Sequence, residues 1–350
     1  MFQRLSLCLL VCLSLFACGK ADNKSKTDKS KYKHKLIIYC TDEFRKSGLE
    51  ATVVPEFSQK YNCAVQLELY PTVASLCMAV KDPNNEGKFD LAIGIDNTFA
   101  ASETIAVHFS SAHELNKESL SKESIFDTSL RLVPYAYSNL CLVYNKTILA
   151  SPPESFGELQ DAKYLNQIAV CDPHESGVGR ATLFWSLALF GPDGYEHLWK
   201  SLRKNIYKSY PDRTEALEAL KRGECNILIS LNTIPAYLEE LDPQSNTFDT
   251  SMLKEGSYQY IEAIGLHKYS PSASLAGKFM RHFLSPEAQK MVVYKLGMFP
   301  ANAKTLLPMH FSTIPFTTYS VNSRLSQQLI SEQVNIWLQF WDLLFGYQVY

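Results

Sequence analysis

Between residues 36 and 97 the chain alternates short apolar runs with stretches whose apolar positions recur every three to four residues. The runs at 36–39, 65–69 and 89–97 (FDLAIGIDN) read as strands, and 49–61 and 72–81 read as helices. Strand, helix, strand, helix, strand is the order of a parallel sheet with crossover helices. Polar residues at the strand exits, Thr41 and Asp42 after the first and Asp96 and Asn97 after the third, then gather along the carboxyl edge of that sheet. In open α/β sheets ligands bind at this edge.

A second pattern begins at Gln167. In QIAVCDPHESGVGRATLFW the apolar run around Ile168 and Val170 is a short strand, Asp172-Pro173 stops it, and 181–190 continues as an apolar helix. Gly177 and Gly179 allow a tight turn, and Ser176 with the amides after it would cap the helix, where free N–H groups and the positive end of the dipole suit an anion. The same residues also describe a plain capped turn, and alone they leave both readings open. A helix at 214–222 and a strand at 226–231 complete a second α/β section. Two long strand-like segments, 132–146 (LVPYAYSNLCLVYNK) and 257–267 (SYQYIEAIGLH), flank it and read as crossovers between two lobes. A ligand would sit between the lobes, where strand ends and helix N-termini converge.

The N-terminus changes the picture of where this fold works. Arg4 precedes an apolar run over 5–16, too short to span a bilayer, and Leu15-Phe16-Ala17-Cys18 follows. Leu-x-Ala-Cys resembles a bacterial lipobox, which implies that Cys18 is a lipid anchor on an exported protein; an ordinary cleaved signal peptide with Cys18 incidental is the alternative, and either way the protein is exported. Residues 19–35 carry seven lysines and one aromatic residue, a composition that cannot bury a core and reads as a tether. About 315 residues remain, enough for two lobes. The expected organisation is a signal peptide at 1–18, a tether at 19–35, a first lobe from 36–134 plus 266–350, and a second lobe at 135–265.

With 34 basic and 36 acidic residues the net charge is −2, which argues against nucleic acid as a partner. The nine cysteines show no metal-ligand spacing, and most of those in the folded part sit in strand-like or apolar stretches such as IIYC and IAVC, where a thiol usually acts as a small hydrophobe. His174 lies two residues before Ser176, yet HESGV lacks the Gly-x-Ser-x-Gly elbow and no Asp/His order supports a triad. No catalytic residue, metal or cofactor is therefore expected.

Several fragments in fixed order carry a family resemblance: LIIYCTDEF, FDLAIGIDN, CDPHESGVGRATLFW, LKRGECNILISLNTIPAY, FLSPEAQKMVVYKLGMFPAN, and a C-terminal Trp337-x-x-x-Trp341. Together they resemble the extracytoplasmic solute-binding proteins of bacterial ABC importers, and within them the thiamine-binding family. The resemblance implies a two-lobe, type 2 periplasmic-binding-protein-like α/β fold with two crossover strands. It also implies capture of thiamine or a thiamine phosphate and delivery to a membrane permease. The ligand-binding positions it implies are Thr41, Asp42, Asp96, Asn97, Ser176, Gly177, Leu231, Asn232 and Tyr237. One departure stands out, because the positions of the family's aromatic cage carry Thr41, a polar or charged residue near Arg213, Leu231 and Gly297. Tyr39, Tyr135, Tyr137, Tyr210, Tyr258 and Phe299 are candidate replacement faces, although tyrosines at strand spacing also serve as core. A different cationic or phosphate-bearing solute, ferric ion, or a surface lipoprotein that has lost transport are the alternative readings. Ferric ion lacks the adjacent tyrosine pair expected of its binders.

Overall fold

Three parallel strands open the first sheet in the order β2-β1-β3: β1 (His34–Thr41), β2 (Cys63–Tyr70) and β3 (Leu91–Asp96). The computed structural model describes residues 32–112, 114–244, 246–315 and 319–346; Cys18, the signal stretch and most of the tether lie outside the described residues. Parallel neighbours need crossovers, and α2 (Glu50–Tyr61) and α3 (Val73–Lys81) supply them. All six residues of β3 are buried, as a strand covered on both faces requires. Each strand exit turns straight into a helix whose cap is the polar residue at that exit. Thr41 caps the short α1 (Asp42–Lys46), Thr72 caps α3 with a reciprocal Ser75 bond, and Asp96 caps α4 (Asn97–Glu103).

β5 (Leu132–Asn145) holds the two lobes together. At 14 residues it extends roughly 45 Å, long enough to run through both. Its first half pairs with β10 (Gln259–His267) and β11 (Phe299–Pro300), and β10 in turn pairs with β3 and the short β4 (Phe109–Ser110). Its second half pairs with β8 (Ile227–Leu231) and β9 (Phe248–Ser251). There β6 (Ile168–Cys171) lies parallel to both β8 and β7 (Ile206–Tyr210), forming the second lobe's sheet. Just before β10 the chain still follows β5, the Leu140 amide donating to the Tyr258 carbonyl at 2.9 Å. The two crossing segments thus lie side by side.

Helices cover both sheets. α5 (Gly177–Leu202) is two helical pieces joined at Gly191, whose φ of 69° and ψ of 177° break the spiral; Pro192 then opens the second piece, where its missing N–H costs nothing. The second lobe adds α6 (Arg213–Lys221) and α7 (Ile234–Leu241), and the chain then returns through α8 (Ala273–Phe283), α9 (Pro286–Leu296) and the one-turn α10 (Met309–Ser312). α11 (Gln327–Phe345) lays its aromatic face on α5: Trp337 meets Phe184 edge-on at 6.1 Å, Phe340 meets Tyr195 at 5.3 Å, and Trp341 meets Trp199 at 4.9 Å. Cys40, Cys63, Cys77, Cys141, Cys171 and Cys225 are all free and buried.

Candidate functional site

The N-terminus of α5 meets the exit of β3 across the seam between the lobes. Ser176 Oγ accepts from the Gly179 amide at 3.3 Å, capping the helix. The two glycines are demanded by contact rather than by dihedral freedom. A Cβ on Gly179 would fall 2.5 Å from the Asp172 carbonyl oxygen. One on Gly177 would fall 2.0 Å from Asp96 Oδ2 and 2.8 Å from the Tyr260 hydroxyl. The second lobe therefore seats bare backbone directly on an acidic side chain of the first.

That side chain is fully buried. Asp96 Oδ1 accepts from the Thr98 amide at 2.8 Å, the Phe99 amide at 3.1 Å and the Thr98 hydroxyl at 2.5 Å. Oδ2 has no hydrogen-bond partner among the described residues. Burial, the largest influence, pushes the carboxyl pKa up, against the pull of the Thr98 and Phe99 hydrogen bonds and of the Arg180 guanidinium. Arg180 itself reaches from α5 to α4: it lies 3.6 Å over the Phe99 ring, donates to Ser102 Oγ at 3.0 Å and stands 3.5 Å from Glu103.

A second polar cluster sits beside the first. Arg213, at the start of α6, extends to Glu43 on α1, where its Nε donates to Oε1, and its Nη2 lies 3.8 Å from Glu262 Oε1 on β10. The hydroxyls of Tyr135 and Tyr260 donate to Glu262 at 2.6 and 3.3 Å. Burial alone would lower the Arg213 pKa, but the Glu43 and Glu262 carboxylates outweigh it and raise it, so this guanidinium stays charged. Counting both clusters, the carboxylates of Glu43, Asp96, Glu103 and Glu262 face the guanidiniums of Arg180 and Arg213 and the Lys81 ammonium. Four carboxyl groups thus face three cationic groups, and burial pushes the pKa of two of these carboxyls, Glu43 and Asp96, up.

The remaining sequence-predicted positions divide by what their side chains already do. Asn97 spends its amide on β10, donating to the Gln259 carbonyl at 3.0 Å and accepting from the Ile261 amide at 3.0 Å. Asn232 accepts from the Ser138 hydroxyl and the Asn139 amide of β5 and donates to the Pro315 carbonyl at 2.8 Å. Both tie strand exits to the crossing strands. Leu231 is buried at the end of β8, while Asp42 stands half-buried in the first turn of α1. Tyr237 lies on Gly297, where a Cβ would come 2.6 Å from its ring.

Of the replacement faces, Tyr39 stacks on Phe89 at 4.2 Å, Tyr137 pairs with Phe299 at 5.5 Å, and Tyr258 meets Phe184 edge-on. Tyr135 and Tyr210 hydrogen-bond Glu262 and Glu224. These rings are committed to the core and its polar links. Glu43, Tyr260 and Glu262 escaped the sequence reading. The only trace of them there was the polar or charged substitution near Arg213, which now has its partners.

Among the described residues no group of three or more His, Cys, Asp or Glu is placed to hold a metal ion. A surface depression of about 470 Å³ between α2 and the α8–α9 junction, lined by Glu56, Tyr61, Arg281 and His282 among others, shares no residue with the seam.

Residues 97–323 match the family described as bacterial extracellular solute-binding protein. The thiamine-binding periplasmic protein of Haemophilus influenzae is 27% identical over 308 residues, covering 87% of this chain and 90% of its own length. Its namesake in Escherichia coli is 27% identical over 314 residues, covering 88% and 92%. A solved structure described as a periplasmic thiamin binding protein superposes with a TM-score of 0.80 at 23% identity, covering 90% of this chain and 96% of that one. That likeness carries the fold.

Proposed function

The chain belongs to the bacterial extracellular solute-binding proteins, and from that premise we propose that it is the exported receptor of an ABC importer that closes on thiamine or a thiamine phosphate. It is a binding protein and not an enzyme. The observation that carries the cationic cargo is Asp96 Oδ2, a buried carboxylate oxygen left without a hydrogen-bond partner among the described residues, at the seam where two lobes meet. An unpaired buried carboxylate is costly, and a cationic ring or its amino group entering the seam would supply the missing partner. The names of the relatives support thiamine as that cation. The Ser176 cap and the amides after it support a place for a polar or phosphate group at the α5 N-terminus.

In this reading Asp96, Ser176 and Gly177 touch the solute, Thr41, Asp42, Leu231 and Tyr237 form its rim, and Asn97 and Asn232 hold the strand exits in place. The division into lobes at 36–134 plus 266–350 and at 135–265 belongs to the same proposal, with α11 spanning the seam through its contacts to α4 and α5. So does a lipid anchor at Cys18. A thermal-shift panel of thiamine, its phosphates, polyamines and ferric citrate tests the cargo, since a solute bound only by the native state stabilises it by about 2.7 kcal/mol at a hundred times Kd. Thiamine compounds should raise Tm. A rise with polyamine or ferric citrate and none with thiamine would replace the cargo.

A further inference from the structure

Arg213 stands at the first helical position of α6, the end of a helix where a cation is disfavoured by the macrodipole. Its helix gives no reason for it; the reason lies across the seam. The guanidinium reaches Glu43 of the first lobe and lies 3.8 Å from Glu262 of the crossing strand, with Met298 Sδ 3.2 Å from Nη1. Glu262 is held in place by the two tyrosine hydroxyls, so a carboxylate waits in a fixed orientation whether or not Arg213 is there. The Glu262 contact is longer than a hydrogen bond, as expected of a guest that does not fill its site. The Glu43 and Met298 contacts join α6 of the second lobe to the first, while the tyrosine bonds to Glu262 lie within the paired crossing strands β5 and β10.

We propose that Arg213 is a tethered cation occupying a planar-cation site built by Glu43, Glu262, Tyr135 and Tyr260, and that it latches the solute-free lobes shut. A cationic solute then displaces the guanidinium instead of entering empty space, and apparent affinity is lowered by the fraction of molecules that are latched. The displacement step rests on the cationic cargo proposed above; the latch and its site do not.

The test therefore uses guanidinium itself. The full chain carrying Arg213→Ala is titrated with millimolar guanidinium chloride, far below denaturing concentrations, against sodium chloride as control. The vacated site should bind the free ion, raising the Tm of the variant saturably by about 2 °C or more while the wild type does not respond. No saturable rise in the variant, or an equal rise in the wild type, overturns the proposal. Small-angle scattering of the solute-free chains gives an independent reading. Glu43→Gln, a half-exposed position that threatens no core, should expand the molecule as Arg213→Ala does, and guanidinium should re-close only the arginine variant. An unchanged radius of gyration in Glu43→Gln overturns the latch even if Arg213→Ala fails to fold. With thiamine, Arg213→Ala should bind more tightly than wild type by several fold; weaker binding would make Arg213 a partner of the solute and refute displacement. Absence of thiamine binding in both chains would sink the cargo reading and leave the guanidinium result standing.

Discussion

At Gly177 the second lobe's backbone packs directly on Asp96 of the first, and the missing side chain is the cause. Any Cβ there would overlap Asp96 Oδ2 at 2.0 Å, a distance no small adjustment relieves. Within α5 itself alanine is the better helix former, so Gly177→Ala leaves the helix sound and blocks the seam. The expected outcome in titration calorimetry is a loss of solute affinity of tenfold or more, about 1.4 kcal/mol, with the circular dichroism spectrum unchanged. Wild-type affinity would show that the lobes do not close through this contact. Asp96 makes a second prediction at the same scale. Its folded pKa is raised above the ordinary 3.8, so its contribution to stability is fully present below that value and is lost as pH rises through the raised one. Asp96→Asn keeps an oxygen for the Thr98 and Phe99 amides and removes the buried charge. Relative to wild type the solute-free variant should gain stability between pH 4 and pH 7 in chemical denaturation; a gap that stays constant or reverses would contradict the burial account.

The residues readable from sequence were those whose role is set by neighbours in the chain. Ser176, Gly177 and Asp96 stand at strand-to-helix turns, and a local pattern announces such turns. Glu43, Arg213 and Glu262 come from three elements far apart in sequence, Glu43 and Arg213 being 170 positions apart, and no local pattern predicts their meeting.

At the scale of elements, the strands were legible because buried strands are apolar runs with sharp polar ends. β1, β3, β6 and β8 fall within a few residues of their expected places. α5 was legible only in part. Its expected end at Phe190 is a bend, and the helix resumes because Pro192 suits a first turn. The pairing of α11 with α5 could not be read, since an aromatic stripe says that a helix is covered and not by what. That pairing predicts where stability is concentrated. Trp337 is 2% exposed and packs on Phe184. Trp337→Ala should cost about 3 to 5 kcal/mol in chemical denaturation, as large aromatic truncations in closed cores do. A loss below about 1 kcal/mol would mean that α11 is peripheral to the fold.

The whole molecule is two α/β lobes joined by β5 and the chain leading into β10, with buried charge at the seam where solvent-exposed charge would contribute little. Two guanidiniums from the second lobe, Arg180 and Arg213, reach carboxylates associated with the first, so closure is an electrostatic event as well as a packing one. The proposed lipid anchor rests on Ala17-Cys18, followed by seven lysines in 19–35. One acyl chain anchors only marginally, so multiple acylation of Cys18 is expected. Cys18→Ser should move the protein from the detergent phase to the aqueous phase on partitioning, and equal partitioning of the two chains would remove the anchor.

The central claim is that a cationic solute completes the charge of Asp96 inside the closed seam. Titration calorimetry of thiamine into the wild type and Asp96→Asn, both folded by circular dichroism, tests it most directly. The account predicts saturable one-to-one binding to the wild type and affinity weaker by tenfold or more in the variant, because the solute's counter-charge has gone while the α4 cap remains. Equal affinity in the two chains, or no binding of thiamine to the wild type, would contradict it.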